Sequence, residues 1–222
     1  MKTLLAVLAL AAFCPAANAS ITSATWNDDG DGAVVCSPNR WPYDPSTATL
    51  SMTGDQYGGT GHMVGTIDTS DAQDPTITLG SAVGNDTGFA WTKYQVNVYM
   101  AVPFSIHGTP TVSNPNFNDW TLSSSTTSPT VVSSGPYTGE YEQTMIFSGG
   151  TPVASAAMPT GTGDELDFSY AIQFSGSTHY TFTQEMIPIA AVPEPASFGL
   201  IGGLALCAVA VGSRLRGLAR IG

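Results

Sequence analysis

Positive charge is what this sequence most lacks. Its 222 residues hold six Lys and Arg against seventeen Asp and Glu, a formal net charge of −11 at pH 7. Lys2, Arg214, Arg216 and Arg220 sit at the ends, so residues 20–191 carry only Arg40 and Lys93. With Glu194 set aside, sixteen acids face those two bases and the body stands near −14. Nucleic acids and anionic headgroups are gripped by clusters of Lys and Arg, so neither is an expected partner of the body. An acidic, Lys-poor surface instead suits a secreted protein kept soluble by self-repulsion, with divalent cations as natural counter-ions.

Cysteine is nearly absent too. Cys14 and Cys207 fall in apolar segments near the two ends, which leaves Cys36 alone in the body. No intrachain disulfide framework is available. Cys36 reads as a small buried hydrophobe beside Val34 and Val35, with intermolecular pairing as the alternative. Nucleophile elbows, phosphate-binding loops and His-Glu-x-x-His are all missing, and the three histidines, His62, His107 and His179, are far apart in sequence. No catalytic centre is visible, and an enzyme is not expected.

Helical periodicity is the third absence: no stretch between Ser20 and Pro193 holds a 3.6-residue period. The period is two. Leu166, Phe168, Tyr170, Ile172 and Phe174 alternate with Asp167, Ser169, Ala171 and Gln173, and after Ser175-Gly176-Ser177 Tyr180, Phe182, Gln184 and Met186 alternate with His179, Thr181, Thr183 and Glu185. This predicts an antiparallel hairpin with one buried face. Tyr94, Val96, Val98, Met100 and Val102 line another strand, with Lys93, Gln95 and Asn97 opposite. Shorter candidates are Ala48–Thr53, His62–Asp68, Thr76–Leu79, Thr130–Ser133 and Glu140–Ser148. Many short strands with Gly, Pro, Asn and Asp between them predict an all-β fold, an antiparallel β-sandwich of jelly-roll or immunoglobulin-like packing. Ser123 to Pro136 is the most linker-like part of the body and reads as a long inter-strand loop.

Several residue groups are candidates for binding. Asn27-Asp28-Asp29-Gly30-Asp31-Gly32 matches the opening of a calcium loop, with oxygen ligands at Asn27, Asp29 and Asp31. The closing bidentate Glu is missing, since Pro38 holds the twelfth position, so an acidic surface turn is the competing reading. Calcium is the one cofactor the spacing suggests. Asp68, Asp71 and Asp74 read as turn residues. Glu140, Glu142, Glu165 and Glu185 are the glutamates from which a glycosidase pair, ~5–5.5 or ~6.5–9.5 Å apart, would have to come. Trp26, Trp41, Tyr43, Tyr57, Trp91 and Trp120 are candidates for a sugar-stacking platform; Trp41-Pro42-Tyr43 is the best exposed cluster, whereas Trp91 reads as core. Asn85-Asp86-Thr87 fits the N-glycosylation sequon but reads as a turn.

Both ends read as address labels. Lys2, the apolar run Leu4 to Phe13 and Ala17-Asn18-Ala19 form a secretory signal peptide over 1–19. At the other end, Val192-Pro193-Glu194-Pro195 is held extended by its prolines. An apolar stretch over 198–211 and Arg214, Arg216 and Arg220 follow. About 14 to 16 apolar residues span ~21–24 Å as a helix, short of a ~30 Å hydrocarbon core. The arginines of 214–222 fit the cytoplasmic side, leaving the body, 20–191, outside.

This succession over 192–222 resembles the PEP-CTERM sorting signal, which exosortase-type membrane enzymes recognise in bacteria that build an extracellular polysaccharide matrix. The resemblance implies an exosortase-like protease or transpeptidase as partner and processing near Val192 to Pro195. It implies transient residence in the inner membrane through a short C-terminal transmembrane helix, then the cell surface or matrix. The stretch from Asp74-Pro75-Thr76 through Asn85 to Trp120 is also similar to β-rich passenger domains of PEP-CTERM proteins, which implies a fold and no activity. The expected function is that of an exported structural or interaction protein. The alternatives are a carbohydrate-binding module for extracellular polysaccharide and, behind it, a polysaccharide-acting enzyme.

Overall fold

The computed structural model describes residues 19–36, 43–114, 119–156 and 164–190. Thirteen strands and no helix occur among them: β1 (Ile21–Asp28), β2 (Val34–Cys36), β3 (Tyr43–Asp44), β4 (Thr49–Gln56), β5 (Gly61–Thr69), β6 (Thr76–Asn85), β7 (Trp91–Met100), β8 (Phe104–Ser113), β9 (Thr121–Ser125), β10 (Thr130–Val131), β11 (Tyr141–Val153), β12 (Glu165–Phe174) and β13 (His179–Ala190). They form two sheets packed face to face. A seven-stranded sheet runs β1-β5-β13-β7-β11-β10, with β9 also on β11, and a six-stranded sheet runs β2-β4-β6-β12-β8, with β3 on β4.

The period-two pattern produces this architecture directly. Inward residues such as Val96, Val98 and Met100 of β7 and Phe168, Tyr170 and Ile172 of β12 are buried in one continuous core. Outward residues alternate with them, so each sheet has one dry and one wet face.

Three expectations need correction. First, β12 and β13 do not form a hairpin. They belong to opposite sheets, and the Ser175–Ser177 turn carries the chain across the core. Both strands have strongly apolar inner faces, and the two faces meet each other: Phe174 and Tyr180 make an edge-on ring contact at 4.4 Å. Second, the sandwich is not wholly antiparallel. The chain passes from β4 to β5 in the other sheet and returns as β6, so β4 and β6 run in the same direction and pair in parallel. Third, Ser123 to Pro136 is not simply a loop: besides β10, which falls within the expected strand Thr130–Ser133, it holds the end of β9, and both pair with successive parts of β11. These short strands cover an edge that would otherwise offer unpaired backbone groups.

Pro188 lies within β13, a strand flanked on both sides, yet it interrupts no ladder there. Pairing with β5 ends at Met186↔Gly61, so beyond that point β13 is bonded only to β7. A residue lacking an N–H is tolerated where one side of the strand is open.

Among the described residues no helix is long and apolar enough to cross a membrane. The expected helix over 198–211, the motif Val192–Pro195, the arginines Arg214, Arg216 and Arg220 and the signal peptide up to residue 18 lie outside the described residues.

Candidate functional site

The outer face of the seven-stranded sheet carries a ribbon of polar side chains that the strand register lines up. Thr144 of β11 lies opposite Asn97 of β7, Asn97 opposite Glu185 of β13, and Glu185 opposite His62 of β5. Asp29, one residue past β1, donates its backbone N–H to the His62 carbonyl. The side chains follow the same order. Thr144 Oγ1 donates to Asn97 Oδ1 at 2.9 Å, and Asn97 Nδ2 donates to Glu185 Oε2 at 2.7 Å. Glu185 Oε1 lies 3.4 Å from His62 Nε2, and His62 Nδ1 lies 3.3 Å from Asp29 Oδ2.

Two residues along β7 from Asn97, Tyr99 joins the same network. Its hydroxyl lies 3.0 Å from both Glu142 Oε1 and Glu185 Oε2, so a single hydrogen serves two carboxylates in turn. Burial pushes the Tyr99 hydroxyl far above its ordinary pKa, and the hydrogen bonds and charge of Glu185 and Glu142 add to that. Tyr137, from the segment between β10 and β11, stacks on Tyr99 with ring centroids 4.1 Å apart and stands 6.4 Å from His62. Its pKa is also raised, first by burial and then by Glu185, Glu140 and Asp29. Burial raises the Glu140 carboxyl in turn.

The loop over Asp28–Ala33 is folded by its own aspartates. Asp28 Oδ1 accepts from Gly30 N, Asp29 Oδ1 from Asp31 N, and Asp31 Oδ1 from Ala33 N. Gly30 and Gly32 have φ near +80°, which the tight turns require. Asp28 Oδ2 also accepts from Cys36 N, tying the loop to β2. As a result one carboxylate oxygen each of Asp29 and Asp31, together with one ring nitrogen of His62, lie within 4.8 Å of one another.

Comparison of the chain with protein-family models, with curated proteins and with solved structures finds no match. The geometry therefore carries the functional argument.

Of the residues singled out in the sequence, Asp29 and Asp31 are brought together, with His62 as their companion. Asn27 stays on β1 opposite Val64. Trp41 lies outside the described residues. Tyr43 is half-buried and donates its hydroxyl to the Ile21 carbonyl at 3.2 Å. Trp26, Trp91 and Trp120 are buried and offer no platform, while Tyr57 is exposed. Glu142 and Glu185 face each other across Tyr99. Glu165 lies on the six-stranded sheet, its carboxyl raised by burial and by a hydrogen bond with Asp167.

Asp68 is occupied by His179 and Ser23, and Asp71 caps Gln73 N, as turn and strand-end residues do. Asn85 is buried, its amide spent on the carbonyls of Phe89 and Val153, so the sequon is a structural turn. Cys36 is partly buried with Sγ 3.3 Å from Met63 Sδ.

The sequence alone left His62 isolated, placed Asn97 only on the polar face of its strand, and singled out neither Tyr99 nor Tyr137. One signal was available: His62 and Glu185 both occupy outward positions of their strands, beside inward Met63 and Met186.

Proposed function

We propose that this chain is an exported module that works at the cell surface or in the extracellular polysaccharide matrix as a structural or interaction protein, without turnover. The observation that carries this reading is where the fold closes. β13 ends at Ala190, still paired with Trp91, and the Val192-Pro193-Glu194-Pro195 motif begins two residues later. The described residues up to Ala190 already form both sheets of the sandwich, which supports reading the tail as an address. In this reading 198–211 forms a short membrane helix, Arg214, Arg216 and Arg220 hold it on the cytoplasmic side, and an exosortase-like enzyme cuts near the motif. We carry the finer packing class, jelly-roll or immunoglobulin-like, in the same reading, supported by two face-packed sheets whose strands cross between them.

The test is the mass of the C-terminal peptide of the protein from its own host, in membrane, surface and matrix fractions. Matrix protein ending near Pro195 supports the reading. Protein ending at Gly222 and confined to membrane would sink it.

A carbohydrate-binding function is the second reading, and one observation favours it: Tyr137 roofs a ribbon of amide, carboxylate and hydroxyl groups on an outer sheet face. Binding to host polysaccharide that survives Tyr137→Ala together with Asn97→Ala excludes that face. Turnover of the same polysaccharide, abolished by Glu142→Gln or Glu185→Gln, would instead make the protein an enzyme.

A further inference from the structure

We propose that Asp29, Asp31 and His62 bind a first-row divalent metal ion, zinc being the best match, and that Glu185 orients the histidine for it. The proposal is independent of how the chain is sorted.

The histidine supplies the decisive observation. Its Nε2 faces the Glu185 carboxylate at 3.4 Å, and Glu185 is itself held by the Asn97 amide and the Tyr99 hydroxyl. A carboxylate so placed holds the ring from its Nε2 side and turns Nδ1 toward the aspartate loop. Nδ1 is buried and makes no hydrogen bond, although Asp29 Oδ2 stands only 3.3 Å away. Nδ1 and Asp29 Oδ2 thus face each other without a hydrogen bond between them. Two ligands ~2.0–2.2 Å from one tetrahedral ion lie about 3.4 Å apart, so the observed separation is that of neighbouring ligands around a shared cation.

The rest of the arrangement supports the same conclusion. Asp31 brings a third ligand atom to within 4.8 Å of the other two. Glu140, Glu142 and Glu185 crowd the same face, and among the described residues no lysine or arginine pairs with a carboxylate. Negative charge there is left for a cation to balance. Calcium prefers six to eight oxygens, whereas one imidazole and two carboxylates form the mixed set that zinc accepts, with a further position open. The carboxylate behind the imidazole is the usual support of a metal-bound histidine.

The experiment uses the full-length chain in detergent, stripped with chelator and titrated with zinc, cobalt(II) or calcium chloride. We expect one equivalent of zinc to bind and raise the melting temperature, and cobalt to show visible bands of nitrogen–oxygen coordination. Asp29→Asn and Asp31→Asn keep the acceptors for Asp31 N and Ala33 N, so the loop should fold unchanged while zinc affinity falls at least tenfold. His62→Gln should abolish the cobalt bands. Glu185→Gln should weaken zinc by about 10- to 100-fold, as loss of an orienting partner does. Zinc binding unchanged in His62→Gln and Asp31→Asn would overturn the proposal. So would calcium binding as tight as zinc and indifferent to His62→Gln, which would leave only an acidic loop attracting cations by charge.

Discussion

Across the core, the Tyr170 hydroxyl of β12 donates to Gln184 Oε1 of β13 at 2.5 Å. Tyr94 of β7 does the same to Gln56 of β4, also at 2.5 Å. Each sheet therefore supplies one tyrosine and one glutamine, and the two pairs join the sheets through groups that have no contact with water. Gln184 Nε2 donates to Ser81 Oγ, and Gln56 Nε2 to the Gly59 and Met186 carbonyls. Tyr170→Phe should leave Gln184 Oε1 buried without a donor and cost about 1–3 kcal/mol in urea denaturation. Pairing it with Gln184→Met should recover part of that loss, since both partners are then apolar. Equal loss in both variants would mean that packing, and not the hydrogen bond, is what matters at this position.

Mild acid should stabilise the chain. Burial raises the carboxyls of Asp55, Glu140 and Glu165 above their ordinary range, with Asp86 adding to Asp55 and Asp167 to Glu165. A raised folded-state pKa means that the native state holds the proton more tightly than the unfolded chain. That contribution is full below the ordinary carboxylate range and is lost as pH rises through the raised values. Without added metal, the melting temperature should climb as pH falls from 7 towards about 5, staying above the ordinary carboxylate range. A flat or falling profile would contradict these assignments.

Cys36 should resist alkylation. Burial, with the Asp28 charge behind it, pushes its thiol from 9.0 up to about 12. The thiolate is the reactive form, so labelling of the folded protein near pH 8 should run roughly a thousandfold slower than in denaturant. Comparable rates in the two states would place the thiol in open solvent.

Gly65 should not accept a methyl group. A Cβ there would stand 2.3 Å from the Phe182 ring and 2.7 Å from the Thr25 carbonyl oxygen. Phe182 cannot simply retreat, because it packs edge-on against Trp26 at 5.7 Å. Gly65→Ala should therefore destabilise by about 1–3 kcal/mol, read from the urea midpoint. An unchanged midpoint would show that Phe182 has room to move.

Much of the fold was legible in the sequence because alternation is a local property. Phe168, Tyr170 and Ile172 declare an inner face wherever their strand ends up, and the same parity puts His62 and Glu185 outside. β1, β8 and β9 escaped notice because their faces are weakly apolar; β8 buries only Phe104 and Pro110. The supposed hairpin at Ser175–Ser177 shows the limit of the method. A turn between two amphipathic strands looks the same whether they pair side by side or face each other across a core.

The sequence by itself determined that the body is all-β, acidic, poor in bases and without a disulfide framework, and it carries the terminal segments that read as address labels. Composition and period are properties of the chain, and no partner has to be found before they act. Only the tertiary structure decided which outward residues meet. Asp29, His62, Glu185, Asn97 and Thr144 come from five separate parts of the chain; the last four join the ribbon through strand register, and Asp29 through the loop that follows β1. A shift of one residue in any pairing would turn that strand's contribution to the opposite face, which is why spacing pointed to Asp29 and Asp31 but not to the residues that join them.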